Sequence, residues 1–246
     1  MGKGVMIVGW ILAGIILTVV SSGCVSGKGI SGSGVMKTES REISGIKRVS
    51  IMGSGQLLIT QGDRESLRVE AEDNLLTFLH TAMDGNTLVL EVQPGVVFLP
   101  TQPIVYRLTV KELEGLTLAG SGKIEVEKLV VGRLSIVLDG SGEIHLGDLY
   151  SSQLLVTIGG SGKCGIDQGI TAGGSIEITG SGDLQAGNLA ITSARIVISG
   201  SGSATVWVKY TLNVQISGSG SVGYYGSPQL TWTLPRSGQV TKLGDK

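Results

Sequence analysis

The stretch Gly159-Gly160-Ser161-Gly162-Lys163-Cys164-Gly165, written GGSGKCG, decides how this chain folds. Its Gly160, Gly162 and Gly165 satisfy the G-x-G-x-x-G spacing of a dinucleotide loop, and it contains the GK pair of a phosphate loop. It also comes within one residue of the glycine-rich calcium repeat G-G-x-G-x-D. Its surroundings choose among binding a phosphate, binding a metal and turning a corner. The triplet Gly-Ser-Gly begins at Gly120, Gly140, Gly160, Gly180 and Gly200, twenty residues apart each time, and again at Gly218 after a unit of eighteen. An earlier copy begins at Gly53. The stretch is one copy of a repeated element, so whatever it does its siblings do too.

Residues on either side of each triplet alternate with the period of two that marks a strand apolar on one face. Before the triplets stand Leu116 and Leu118, Ile136 and Leu138, Val156 and Ile158, Ile176 and Ile178, Ile196 and Ile198, Val214 and Ile216. After them stand Ile124 and Val126, Ile144 and Leu146, Cys164 and Ile166, Leu184 and Ala186, Ala204 and Val206, Val222 and Tyr224, with further apolar positions at Leu129, Leu149 and Leu189. Each unit therefore reads as two or three short strands whose apolar face cannot be buried within the unit. Stacking the units in register buries it. The pattern predicts an all-β fold, a single-stranded parallel β-helix of about twenty residues per coil with Gly-Ser-Gly corners, its coils about 4.8 Å apart. Right-handed winding follows from the crossover rule. The glycines keep the inward parity and predict a tight inner bend, with the serines either outward as a polar ladder or tucked in by a bulge.

The binding readings of GGSGKCG fail in this context. A dinucleotide loop needs a helix after its glycines, and here a strand follows. A phosphate loop needs glycine five positions before Gly162, where Thr157 stands, and the calcium repeat needs aspartate where Cys164 stands. The stretch turns a corner, and no nucleotide, cofactor or metal site is expected from it.

Composition agrees with an exported structural protein. Forty glycines without a three-residue period exclude collagen, and 41% hydrophobic residues exclude a disordered low-complexity chain. A net charge of −1, with no basic run, offers no field for nucleic acid. Lys3 precedes the apolar run Val5 to Val20, too short to span a bilayer comfortably, and Ser21-Ser22-Gly23-Cys24 follows. This order resembles the lipobox of bacterial lipoproteins, with Ser21 where leucine is more usual. Residues 1–23 are expected to be a signal peptide and Cys24 the lipid attachment point. Residues 24–41, rich in glycine and serine, read as a flexible tether, and 42–246 as the β-helix domain.

With the repeats laid out, the chain resembles the putative auto-transporter adhesin, head GIN domain family over roughly residues 42 to 246. The likeness rests on Val49-Ser50-Ile51-Met52-Gly53-Ser54-Gly55, on Leu58-Ile59-Thr60-Gln61-Gly62 and on Val69-Glu70-Ala71-Glu72-Asp73-Asn74. The later corners and the closing Tyr224-Tyr225-Gly226-Ser227-Pro228 also fit. Cys164 in a core column and the shortened coil before Gly218 depart from it. The resemblance implies a β-helix related in shape to pectin lyases and a surface protein acting in adhesion, without established catalytic residues.

Few residues invite a chemical role. Cys164 stands in the column of Ile124, Ile144 and Leu184 and reads as a small core hydrophobe without a disulfide partner. His145 lies between inward Ile144 and Leu146, beside Glu125 and Gln185, and one histidine is no metal site. The column Lys123, Glu143, Lys163, Asp183, Ser203, Ser221 alternates charge from coil to coil and is expected to set register. Its Glu143 and Asp183, about 9.6 Å apart at twice the strand spacing, could serve as a glycosidase pair, with Lys163 between them to neutralise both. Trp207 and Tyr225 lie seven residues past the first glycine of their corners, with outward parity. They are expected to stack on adjacent coils, in a column shared with Asp167 and Glu127, as a platform for a ligand such as a sugar. The competing expectation is that Leu230, Trp232 and Leu234 fold back over these rings to cap the helix end. The function expected is a non-enzymatic adhesion or surface-binding module of the cell envelope, anchored to the outer membrane or the outer face of the cytoplasmic membrane. Its partners would be a glycan or a surface protein. A polysaccharide lyase or hydrolase on the same fold is the alternative.

Overall fold

The computed structural model describes residues 29–246; the expected signal peptide and Cys24 lie outside the described residues. The chain forms β1 (Ile30–Ser31), β2 (Met36–Arg41), β3 (Arg48–Gly53), β4 (Gln56–Gln61) and β5 (Ser66–Glu72). Then come β6 (Leu79–Asp84), β7 (Thr87–Val92), β8 (Phe98–Leu99), β9 (Val105–Val110) and β10 (Gly115–Gly120). The repeats supply β11 (Lys123–Gly140), β12 (Glu143–Ile158), β13 (Lys163–Ile178), β14 (Asp183–Ile198) and β15 (Ser203–Ile216). Finally β16 (Ser221–Tyr225), β17 (Gln229–Thr233) and β18 (Gln239–Gly244) complete the chain. The short strands expected within each repeat run together into one strand that bends around the coil.

Successive repeats pair in parallel, and from β11 to β14 the offset is twenty residues: Ile124 faces Ile144, Ile144 faces Cys164, and Cys164 faces Leu184. The architecture is the expected parallel β-solenoid. Its inward columns are buried throughout, from Ile124, Val126, Leu129, Leu134, Ile136 and Leu138 up to Leu212, Val214, Ile216 and Val222. Burial of each such side chain contributes about 1.5–3 kcal/mol, which is what holds coil on coil. The two residues missing from the last full coil are absorbed in β14. Ala186 faces Val206 but Ala190 faces Trp207, so Gly187, Asn188 and Leu189 have no partner on β15, and one residue is returned where Thr192 stands opposite Lys209 and Tyr210.

The corners show why glycine recurs. From Gly53 to Gly180 the carbonyl of the first glycine accepts the N–H of the next coil's serine: Ser141 on Gly120 at 3.0 Å, Ser161 on Gly140 at 2.9 Å, Ser181 on Gly160 at 3.0 Å. The ladder thus continues through the turn. A Cβ on Gly160 would lie 2.2 Å from the Gly140 carbonyl oxygen, so the first glycine makes room for the coil beneath it and not for the interior, as parity had suggested. The second glycine does face inward: a Cβ on Gly162 would meet Leu138 Cδ2 at 2.7 Å. The serines are exposed, which decides for the outward ladder.

The lower end departs from the repeat. β7 and β9 lie beneath β3 and β4 in parallel, but β6 pairs with β7, β5 with β9 and β2 with β5 in antiparallel fashion. Here the expected free tether over 24–41 is corrected for its described part, residues 29–41. β2 runs in register along β5, and the segment before it is held by side chains some forty residues away. Gly34 N–H donates to Glu72 Oε1 at 2.7 Å, Ser33 N–H to Asn74 Oδ1 at 3.0 Å, and Asn74 Nδ2 to the Ser31 carbonyl at 2.8 Å. Thr101 donates to the same Glu72 through its hydroxyl at 2.6 Å and its N–H at 2.9 Å. Glu72-Asp73-Asn74, the end of one motif behind the family resemblance, is therefore a clamp. Gly32 and Gly34 are held by their own N–H groups, on the Leu99 carbonyl and on Glu72, and do not float.

Candidate functional site

Each coil bends after its inward Leu129-type position, and the next residue projects outward. At that position stand Val130, Tyr150 and Ile170, which face one another in register; the column passes through buried Ala190 to half-buried Trp207 and Tyr225. Val130, Tyr150 and Ile170 are 55%, 40% and 53% exposed. Parity asks for nothing apolar here, because this face is wet. An apolar ladder in the one outward column, aligned over successive coils about 4.8 Å apart, is a surface with something to touch.

Polar groups frame the ladder. Lys128, Asp148 and Gln168 form the neighbouring column, with Gln168 Nε2 donating to Asp148 Oδ1 at 2.7 Å and Lys128 Nζ lying 5.8 Å from the Tyr150 ring centre. Beside Val130 a groove of about 570 Å³ is lined by Glu112, Glu114, Gly132 and Arg133. Lys47 bridges the two carboxylates of that groove, at 3.6 Å from Glu112 and 3.3 Å from Glu114. The hydrogen bond to Glu114, followed by the charges of both glutamates, raises the Lys47 ammonium above its ordinary value.

Trp207 and Tyr225 are brought together on adjacent coils, as parity predicts. Three details differ. Trp207 faces Ala190, not the Asp167 column, because the bulge at Gly187 to Leu189 shifts the register. The rings are capped by ammonium groups: Lys246 Nζ lies 4.2 Å from the Tyr225 ring centre and 5.8 Å from that of Trp207, and Lys209 Nζ lies 5.5 Å from Trp207. Lys246 is fixed there by donating to the Gly187 carbonyl at 2.6 Å and to Asn188 Oδ1. Finally, Leu230 and Trp232 do not fold over these rings. They face Leu212 and Val214 as one more turn of the inward columns, and Leu234 packs against the core beside them.

The other candidates resolve simply. Cys164 is buried, and burial alone pushes its thiol up to about 12. His145 Nε2 donates to Asp167 Oδ2 at 3.1 Å, reaching across Gly165, whose missing side chain leaves room for the imidazole. Its in-register neighbours are thus Glu125 and Gly165, not Gln185. No cluster of three or more His, Cys, Asp or Glu side chains that could hold a metal occurs among the described residues. Lys123, Glu143, Lys163, Asp183, Ser203 and Ser221 do form one column. Its charges are spent otherwise than expected: Lys123 pairs along its own strand with Glu125 at 2.9 Å, and Asp183 accepts from Ser203 and from Gln185 Nε2 at 2.8 Å.

The sequence reading missed Val130, Tyr150 and Ile170. The signal was present: each stands ten residues past the first glycine of its corner in three consecutive units.

Residues 46–228 match the family described as "Putative auto-transporter adhesin, head GIN domain". Among solved structures, a putative adhesin of Bacteroides fragilis is 23% identical, with a TM-score of 0.81 over 89% of this chain and 100% of that one. A putative lipid binding protein of Parabacteroides distasonis is 26% identical, with a TM-score of 0.74 over 88% and 100%. A putative adhesin of Parabacteroides merdae is 19% identical, with a TM-score of 0.71 over 87% and 98%. No curated protein matches the chain.

Proposed function

Because the chain belongs to the putative auto-transporter adhesin, head GIN domain family, we propose that it is an exported, non-enzymatic contact module of the cell envelope. In this reading Cys24 carries the acyl anchor and the solenoid presents its outward ladder to a surface glycan. The ladder is the observation that carries it: Val130, Tyr150 and Ile170 stand exposed in one register column that leads to Trp207 and Tyr225. A saccharide chain offers C–H faces to such a column and hydroxyls to the Asp148 and Gln168 column beside it. Contacts repeated over several coils add up although each is weak. The names of the solved relatives, adhesins and one lipid binding protein, accord with a role at a membrane-bounded surface.

The test is the double variant Tyr150→Ser with Ile170→Ser in the full chain, followed by glycan-array and whole-cell binding. Tyr150 and Ile170 are 40% and 53% exposed, so melting should fall only modestly while binding is lost. Undiminished binding with intact melting overturns the ladder as the contact surface. The anchor is checked separately by intact mass of the membrane fraction, which should show diacyl or triacyl addition at Cys24. A mature chain beginning at another residue overturns it.

A further inference from the structure

The exposed apolar side chains of this molecule gather at a second place, the lower end of the stack. Val35 (59%), Val97 (52%) and Leu99 (53%) are exposed there, as is Met36 next to Val35, and Met83 is exposed on the edge strand β6. All belong to the outermost elements. β2 is the edge beyond β5, β6 is the edge beyond β7, and β8 pairs only with β1. The described chain also enters at this end. Gly29 abuts Val97 and Leu99 so closely that a Cβ on it would lie 2.8 Å from Leu99 Cδ1 and 3.5 Å from Val97 Cγ1.

The entry is rigid. Glu72, Asp73 and Asn74 hold Ser31, Ser33 and Gly34 through side-chain hydrogen bonds. Five residues separate Cys24 from Ile30. Fully extended, that connection reaches about 20 Å, at roughly 3.3–3.6 Å per residue. Whatever Cys24 is attached to lies within that reach of Val97 and Leu99.

We propose that the lower end is a membrane-contacting face, with Val97, Leu99, Val35 and Met36 seated in the headgroup and acyl boundary of the bilayer that carries the Cys24 anchor. This rests on the anchored reading above. A tether this short gives an effective concentration in the millimolar range, at which even a weak apolar contact is largely occupied. Each buried CH₂ adds to it at about 0.8 kcal/mol. The apolar band is otherwise unexplained, because the core beneath it is already closed by Leu75, Leu76 and Leu79. The consequence is an orientation: the coils rise away from the membrane and the ladder from Val130 to Tyr225 runs outward.

The full chain, extracted from membranes and reconstituted into phosphatidylethanolamine–phosphatidylglycerol vesicles with brominated acyl chains, provides the test. Leu99→Cys is labelled with an environment-sensitive fluorophore and compared with Tyr210→Cys, a 69% exposed site far up the stack. Cys164 does not compete for the label, because it is buried with its thiol pushed up to about 12. The expected result is loss of emission to bromine at Leu99→Cys and none at Tyr210→Cys, reversed by the added pair Val35→Asp with Val97→Asp. Equal quenching at both sites, or none at Leu99→Cys, overturns the proposal. So does quenching replaced by concentration-dependent self-association, which assigns the face to a second copy of the chain. Intact mass lacking acyl at Cys24 would sink the anchor alone, and the contrast between the two labelled sites would still decide the face.

Discussion

At Gly160 the difference between a binding loop and a corner reduces to one carbon atom. A side chain there would strike the Gly140 carbonyl, which is the acceptor that ties Ser161 to the coil below. Gly160→Val should therefore destabilise the domain by about 1–3 kcal/mol, whereas Lys163→Ala, three residues on and solvated, should stay within about 0.5 kcal/mol of the parent. Chemical denaturation of the two variants checks this, and equal midpoints would refute the corner geometry. Cys164 gives a second residue-scale expectation. Its thiol and the Tyr106 phenol are both pushed up to about 12 by burial, from 9.0 and 10.0. Both are neutral when protonated, so above pH 9 the native state binds more protons than the unfolded chain. The stability this represents is complete below that pH and is lost as pH climbs toward 12. Denaturation from pH 8 to 11 should show a falling midpoint that Cys164→Ala flattens in part. The native thiol should also resist iodoacetamide at pH 8 and react once the chain unfolds.

Among the elements, the repeats were legible in the sequence and the lower end was not. Period two within a unit and period twenty between units fix the inward residues that flank the corners from Ile124 to Ile198, because one column admits only one register, but not buried Thr171 and Ile191 beyond the bend. The clamp escaped because it joins Ser31, Ser33 and Gly34 to Glu72, Asp73 and Asn74, a pairing that no local pattern encodes. The bulge at Gly187 to Leu189 escaped likewise: a count reveals a missing pair of residues but not where the backbone absorbs them. At this scale Glu72 makes a prediction. The Thr101 hydroxyl above all, then the amides of Thr101, Gly34 and Gln102, lower its carboxyl below the ordinary value of 4.5 against the opposing effect of burial. Its contribution is therefore present above the usual carboxylate range and lost as pH falls through the lowered value. Glu72→Gln should leave the upper coils unaffected while residues 30–35 lose protection in hydrogen exchange, and acidification should do the same to the parent. Unchanged protection at Ile30 to Val35 in the variant would show that the clamp does not hold the entry.

The whole molecule behaves as a stack, in which each coil is stabilised by its neighbours and the ends decide the fate of the rest. One of the two expectations had Leu230, Trp232 and Leu234 folded over Trp207 and Tyr225 to close the upper end; instead β17 and β18 continue the coil. Leu230 lies over Leu212, Trp232 over Val214 and Val240 over Val222. Trp232, 55% exposed, takes the last position, with solvent on one side and the core on the other. Two changes at this end should therefore differ greatly. Trp232→Ala removes a side chain that is already half in water, and should lower melting modestly. Ending the chain at residue 228 removes both final strands and bares Leu212, Val214, Ile216 and Val222, all buried in the parent, each worth about 1.5–3 kcal/mol. It also leaves the backbone edges of β15 and β16 unpaired, which invites edge-to-edge association. The truncated chain should melt far lower than Trp232→Ala and aggregate, as light scattering during a thermal ramp would show. A truncated chain that melted with the parent and stayed monomeric would mean that the last coil closes nothing, and that the stack ends at β16.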